Sequence, residues 1–175
     1  VNQYNPIGSV LITGDALEGS VLTGDGSAVT DGDGIVSSSI TYQWLRDGLE
    51  ISGATSSDYT LTQADIGKSV AVKYSFRDQS TALEEVVSAG SALVANVSHP
   101  VSGTLAITGT AAEDQTLTAD TSALADEDGL GSFSYQWLRD GTEISGATGS
   151  TYDLKQADVG TAFSARVSYT DGEGT

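Results

Sequence analysis

The chain holds no cysteine, no methionine, two prolines and a single histidine among 175 residues. Without cysteine there is neither a disulfide framework nor a thiolate metal site, and the lack says little about compartment, because exported bacterial proteins often fold without disulfides. Basic residues are also scarce. Four arginines and three lysines are scattered against 24 acidic residues, for a net charge of −17. A phosphate-binding surface needs clustered positive charge, so nucleic acid and anionic membrane are disfavoured as partners. No stretch approaches the run of about 18 apolar residues that a membrane helix requires. No signal peptide opens the chain, which is therefore expected to be an interior piece of a longer protein, or a mature or trimmed form.

Catalysis finds no support in the residue pattern. There is no Gly-x-Ser-x-Gly elbow, no glycine-rich phosphate loop, no cluster of His or Cys, and no histidine to activate any of the many serines. Asp and Glu are so plentiful that some pair will lie at glycosidase distance by chance. The chain is expected not to be an enzyme.

What the sequence does have is repetition. The heptapeptide YQWLRDG occurs at Tyr42 to Gly48 and again at Tyr135 to Gly141, and 20 of the 26 positions from Tyr42 to Gly67 recur 93 residues later. The match includes Ile51 to Thr55 with Ile144 to Thr148, and Gln63 to Gly67 with Gln156 to Gly160. Upstream the offset is 95, pairing Val10 to Gly14 with Leu105 to Gly109 and Asp33-Gly34 with Asp128-Gly129. A period near 95 residues is a whole domain, too long for a solenoid unit. Two domains are expected, at 1–98 and 99–175.

The hydrophobic period is two. Val70, Val72, Tyr74 and Phe76 alternate with Ser69, Ala71, Lys73 and Ser75, and Phe163, Ala165, Val167 and Tyr169 alternate with Ala162, Ser164, Arg166 and Ser168. That is the pattern of a half-buried strand. Glycine-rich turns punctuate β-branched and aromatic runs, and no segment has helix start, apolar stripe and stop together. In the first repeat strands are expected at Val10 to Thr13, Gly19 to Thr23 and Thr41 to Arg46. A tight Asp47-Gly48 turn then launches a short strand around Glu50 and Ile51, followed by Tyr59 to Thr62, Ser69 to Phe76 and Leu83 to Val87.

Seven short strands, a Trp in the third, and a Leu-x-x-x-Asp-x-Gly corner (Leu61 to Gly67, Leu154 to Gly160) resemble an immunoglobulin-like sandwich. More narrowly, the phrase YQWLRDG, ISGAT, Tyr-x-Leu-x-Gln-Ala-Asp-x-Gly and Ser-Tyr-Thr-Asp-Gly-x-Gly-Thr resembles the Ig-like or cadherin-like repeats that build the stalks of large secreted bacterial adhesins of the RTX type. The antibody cysteines are absent, with Ala71 and Ser164 near that position, and Ser69 and Ala162 replace the tyrosine of the tyrosine corner. In those adhesin repeats the junction often reads Asn-Asp-x-Pro. Here it is Val97-Ser98-His99-Pro100, so the resemblance does not extend to a calcium site in the linker itself.

The conspicuous side chains have plain structural readings. Trp44 and Trp137 are expected as core plugs rather than sugar-stacking platforms. Arg46 and Arg139 with Asp65 and Asp158 are expected as structural charges near strand ends and corners. His99 is expected to have no catalytic part. The acidic loops are the exception. Asp31 and Asp33 fall between the second and third strands of the first repeat, as Asp126 and Asp128 do in the second; Asp78, and Asp171 with Glu173, follow the sixth strands. In an immunoglobulin-like sandwich those loops share one end, so their carboxylates can converge on a hard cation taking six to eight oxygens. Asp-x-Asp-Gly is also an ordinary turn former. Calcium is the candidate cation, with the second repeat the favoured site.

The expected protein is thus all-β, two tandem immunoglobulin-like β-sandwich domains with the second lacking its last strand, since about 17 residues corresponding to Ala82 to Ser98 have no counterpart after Thr175. The resemblance implies structural spacer repeats of an extracellular adhesin or filament at the bacterial cell surface, holding a distal binding domain outward, with neighbouring repeats of the same protein as partners. Two alternatives stand beside it: a calcium-dependent carbohydrate- or protein-binding module, and a filament subunit assembling by β-strand donation, with Val1 to Pro6 as a candidate donor to another copy. Cropping is the expected origin of the missing strand.

Overall fold

A computed structural model describes residues 4–172. The chain is all-β, in two compact units, Val1–Val97 and Ser98–Thr175. The first unit has strands β1 (Leu11–Thr13), β2 (Val21–Asp25), β3 (Thr41–Arg46), β4 (Leu49–Glu50), β5 (Asp58–Thr60), β6 (Val70–Arg77) and β7 (Leu83–Val87). They form two antiparallel sheets, ordered β1-β2-β5 and β4-β3-β6-β7. The second unit has β8 (Ala106–Thr108), β9 (Thr116–Asp120), β10 (Ser134–Arg139), β11 (Thr142–Glu143), β12 (Thr151–Asp153) and β13 (Phe163–Ser168), ordered β8-β9-β12 and β11-β10-β13. The two arrangements are the same, except that among the described residues nothing pairs with β13 on the side where β7 lies against β6.

The third and seventh strands occupy the expected residues, while the second begins two residues late, at Val21. The cause is local. Ser20 N–H closes a turn onto the Leu17 carbonyl at 3.0 Å, and the chain cannot extend until that turn is complete. At the other end Asp25 accepts the Ser27 N–H at 2.8 Å and terminates the strand. The Asp47-Gly48 hairpin takes φ of 46° and 82°, positive at both central positions as a type I′ turn demands.

The repeated heptapeptide is used up by folding. Trp44 and Trp137 are fully buried, and their indole N–H groups donate to the Ser56 and Gly149 carbonyls, each at 2.9 Å. Gln43 Nε2 donates to the Trp44 and Ile51 carbonyls, and Gln136 does the same to Trp137 and Ile144, tying each third strand to the segment after its hairpin. Asp47 and Asp140 accept the Ser69 and Ala162 N–H groups at the start of the sixth strands.

Packing differs between the units in a compensated way. A Cβ on Gly24 would lie 3.1 Å from the Val72 side chain, and one on Gly26 would lie 2.5 Å from the Tyr74 ring. Glycine here makes room for the inward side chains of β6. In the second repeat the same positions are Ala119 facing a smaller Ala165, and Thr121 alongside Val167 for Tyr74. The volume moves from one sheet to the other, as a close-packed interior requires.

Candidate metal centre

The loop 31–34 is bound to the loop after β6 through the backbone. Val36 N–H donates to Arg77 and Gln79 N–H to Gly34, at 2.9 and 3.0 Å, around an Ile35–Asp78 bridge. Those bonds bring Asp78 up to two aspartates 47 and 45 residues earlier in the sequence: ligand oxygens of Asp31, Asp33 and Asp78 all lie within 4.8 Å of one another.

Each carboxylate is held. Asp31 Oδ1 accepts the Asp33 N–H at 2.7 Å, and Asp33 Oδ2 accepts the Tyr4 N–H at 3.1 Å. Asp78 is fully buried, accepting the Ser80 hydroxyl at 2.9 Å and the Ala82 N–H at 2.8 Å. No Lys or Arg among the described residues forms an ion pair with Asp31 or Asp78; Arg77 turns away to the Thr81 carbonyl. Asp31 Oδ2 is shut off from solvent and accepts no hydrogen bond from the described residues. An orphaned anionic oxygen costs several kcal/mol unless a cation meets it. Three carboxylates and one unmet oxygen fit a hard, oxygen-seeking cation such as calcium.

The second repeat solves the same problem with protons. Asp126 Oδ1 accepts the Asp128 N–H at 2.9 Å, as Asp31 accepts that of Asp33. Its Oδ2, however, takes the Tyr169 hydroxyl, and the hydrogen bond to Asp126, with burial and the surrounding acidic charges, pushes the Tyr169 phenol up to about 12. In the first repeat the position of Tyr169 belongs to Phe76, which has no hydroxyl. Asp128 is buried and accepts the His99 N–H at 2.6 Å, with the imidazole Nδ1 at 3.5 Å. His99 thus stands where Tyr4 stands in the first repeat, giving its backbone N–H to the second aspartate of the loop. Among the described residues Asp126, Asp128 and Asp171 do not gather as closely as their counterparts. Glu173 lies outside the described residues. The signal separating the repeats, Phe76 against Tyr169, was present in the sequence, but only the loop pairing shows its meaning.

The arginines belong to a second buried arrangement. Arg46 Nε donates to Asp65 Oδ1 at 2.7 Å, while Asp65 Oδ2 accepts the Tyr59 hydroxyl at 2.9 Å and both the N–H and hydroxyl of Thr62 at 2.8 Å. Burial pushes the Asp65 carboxyl up, but the Arg46 guanidinium and the Thr62 and Tyr59 donors outweigh it and hold it below the usual carboxylate range. The second repeat repeats the set with Arg139, Tyr152 and the Lys155 N–H on Asp158. There too burial raises the carboxyl and the donors bring it down. The corner is gripped by a tyrosine of the fifth strand, which accounts for Ser69 and Ala162 standing in place of a corner tyrosine.

Of the candidate donor segment, Val1, Asn2 and Gln3 lie outside the described residues. Tyr4 caps Asp33, and Ile7 exchanges backbone hydrogen bonds with Thr30 at 2.8 Å. None of the helical turns among the described residues is long and apolar enough to cross a membrane. No protein-family model matches the chain, and the comparison with curated proteins returned no match.

Proposed function

We propose that the chain is a pair of non-catalytic spacer modules from the stalk of a large secreted bacterial adhesin or filament, working at the cell surface among further repeats of the same protein. The observation that carries this reading is the fate of the repeated side chains. The Trp, Gln, Arg, Asp and Tyr residues shared by both repeats are consumed in core packing and in strand-to-corner hydrogen bonds. What the two copies keep in common is therefore what makes a module rigid. The excess of negative charge keeps neighbouring stalks apart and soluble. In the first unit calcium bound by Asp31, Asp33 and Asp78 braces the loop before β3 against the loop after β6, which is a mechanical use for a cation.

Pulling single molecules by their ends tests the reading. Calcium is expected to raise the unfolding force of the first unit, identified by its contour-length increment, and the protein is expected to bind no member of a glycan array. Specific micromolar binding to a glycan, with unfolding forces indifferent to calcium, would replace the spacer with a binding module.

A further inference from the structure

In the first unit the chain past β7 closes the sandwich. Ser88 and Ser91 donate their N–H groups to the Val72 and Val70 carbonyls at 2.9 and 2.8 Å, and their hydroxyls accept the N–H groups of the same two residues at 2.9 and 3.0 Å. Three residues on, Val94 N–H reaches the Lys68 carbonyl, and Gly67 N–H returns to Val94, at 3.0 and 2.9 Å. Ala95 then exchanges hydrogen bonds with the opposite sheet's loop, donating to Ala16 and accepting from Glu18, both at 2.9 Å. The Val94 side chain is 2% exposed, plugged into the core.

The second unit has the receiving half of this joint. Ala111 to Glu113 correspond to Ala16 to Glu18, and Val159 to Thr161 correspond to Ile66 to Lys68. Between them, over Leu154 and Phe163, lies a cleft of about 310 Å³. The Gly160 and Glu113 N–H groups, whose counterparts bind Val94 and Ala95, have no backbone acceptor among the described residues. The inward residues of β13 show the same vacancy. Phe163, Ala165 and Val167 are half-buried, whereas Val70, Val72 and Tyr74 in the first unit are buried. A sheet edge with unpaired backbone and an apolar slot beside it is a template for an added strand.

We propose that the outer edge of β13 and this cleft form one binding site for an extended segment of the repeat's own type. It carries a strand like Leu83–Val87, then serines spaced as Ser88 and Ser91, then an apolar plug three residues on. The strand runs antiparallel to β13, the serine hydroxyls accept from Ala165 and Phe163, the plug fills the cleft, and the next residue pairs with Ala111 and Glu113. The site goes beyond the spacer reading and does not depend on it.

A synthetic peptide of residues 82–97, added to the 175-residue protein, tests the site by residue-resolved hydrogen exchange and titration. One peptide is expected per protein, slowing exchange at Glu113, Gly160 and along β13 by about tenfold or more, as pairing a free edge does. The same peptide carrying Val94→Asp is expected to bind at least about tenfold more weakly, because a carboxylate in the plug position is buried unpaired. Three results would overturn the proposal: no slowing at millimolar peptide, equal protection from a peptide of residues 1–6, or a protein that is already dimeric with β13 protected before any peptide is added. None of these bears on unfolding forces, so the spacer reading stands or falls separately.

Discussion

The Tyr169 hydroxyl donates to the Asp126 carboxylate across the two loops of the second unit. The first unit has Phe76 in that place and leaves Asp31 Oδ2 without a donor among the described residues. One hydroxyl therefore separates a loop pair whose first aspartate has a proton donor from one whose first aspartate keeps an unmet oxygen among the described residues.

Calcium is accordingly expected to stabilise the first unit, by about 2.7 kcal/mol at a concentration 100 times its Kd. Calorimetry with calcium and with chelator checks this. Phe76→Tyr, which brings the second repeat's hydroxyl to Asp31, is expected to weaken calcium binding at least about tenfold while the apo protein melts no lower. Indifference of both proteins to calcium would remove the site.

The Asp65 corner gives the first unit an acid limit. Its folded carboxyl titrates below the unfolded value of about 3.9, so the folded state binds fewer protons and gains stability from the group above that value. The contribution is in full force above about pH 5 and is lost as pH falls through the depressed folded value. Arg46→Ala, which strands a buried carboxylate, is expected to cost about 3 kcal/mol at pH 7 and less at pH 3, read from denaturant melts. A cost that does not change with pH would show that the pair acts by packing alone.

Trp44→Ala and Trp137→Ala are each expected to destabilise their own unit by about 3 to 5 kcal/mol, since a large ring leaves a cavity the sheets cannot close and an orphaned Ser56 or Gly149 carbonyl. In the unaltered protein acrylamide is expected to quench neither indole freely. Free quenching would contradict the burial of both rings.

Gly26→Thr is expected to cost about 1 to 3 kcal/mol, because its Cβ must enter the Tyr74 ring. Combined with Tyr74→Val, which reproduces the Thr121 and Val167 pairing of the second repeat, the loss is expected to fall short of the sum by about 1 kcal/mol. Additive losses would mean that the two positions do not share one volume.

The sequence alone determined the strands and their grouping into an all-β chain. Alternation along Val70 to Phe76, the Asp47-Gly48 turn and the recurrence of YQWLRDG are local signals, and a period-two pattern leaves few ways to bury one face. The burial of Trp44 and Trp137 followed from the same logic. The tertiary structure alone decided in which repeat the acidic residues meet. Asp31, Asp33 and Asp78 gather within 4.8 Å while, among the described residues, Asp126, Asp128 and Asp171 do not, and no spacing rule records that difference or which oxygen is left unmet. It likewise decided that Tyr59 and Arg46 converge on Asp65, and that Val94 is the residue filling in one unit the slot that lies over Leu154 and Phe163 in the other, where the sequence indicates only a missing last strand. Strand formation is read along the chain, whereas a site depends on partners brought from distant positions, and only the packed fold fixes those.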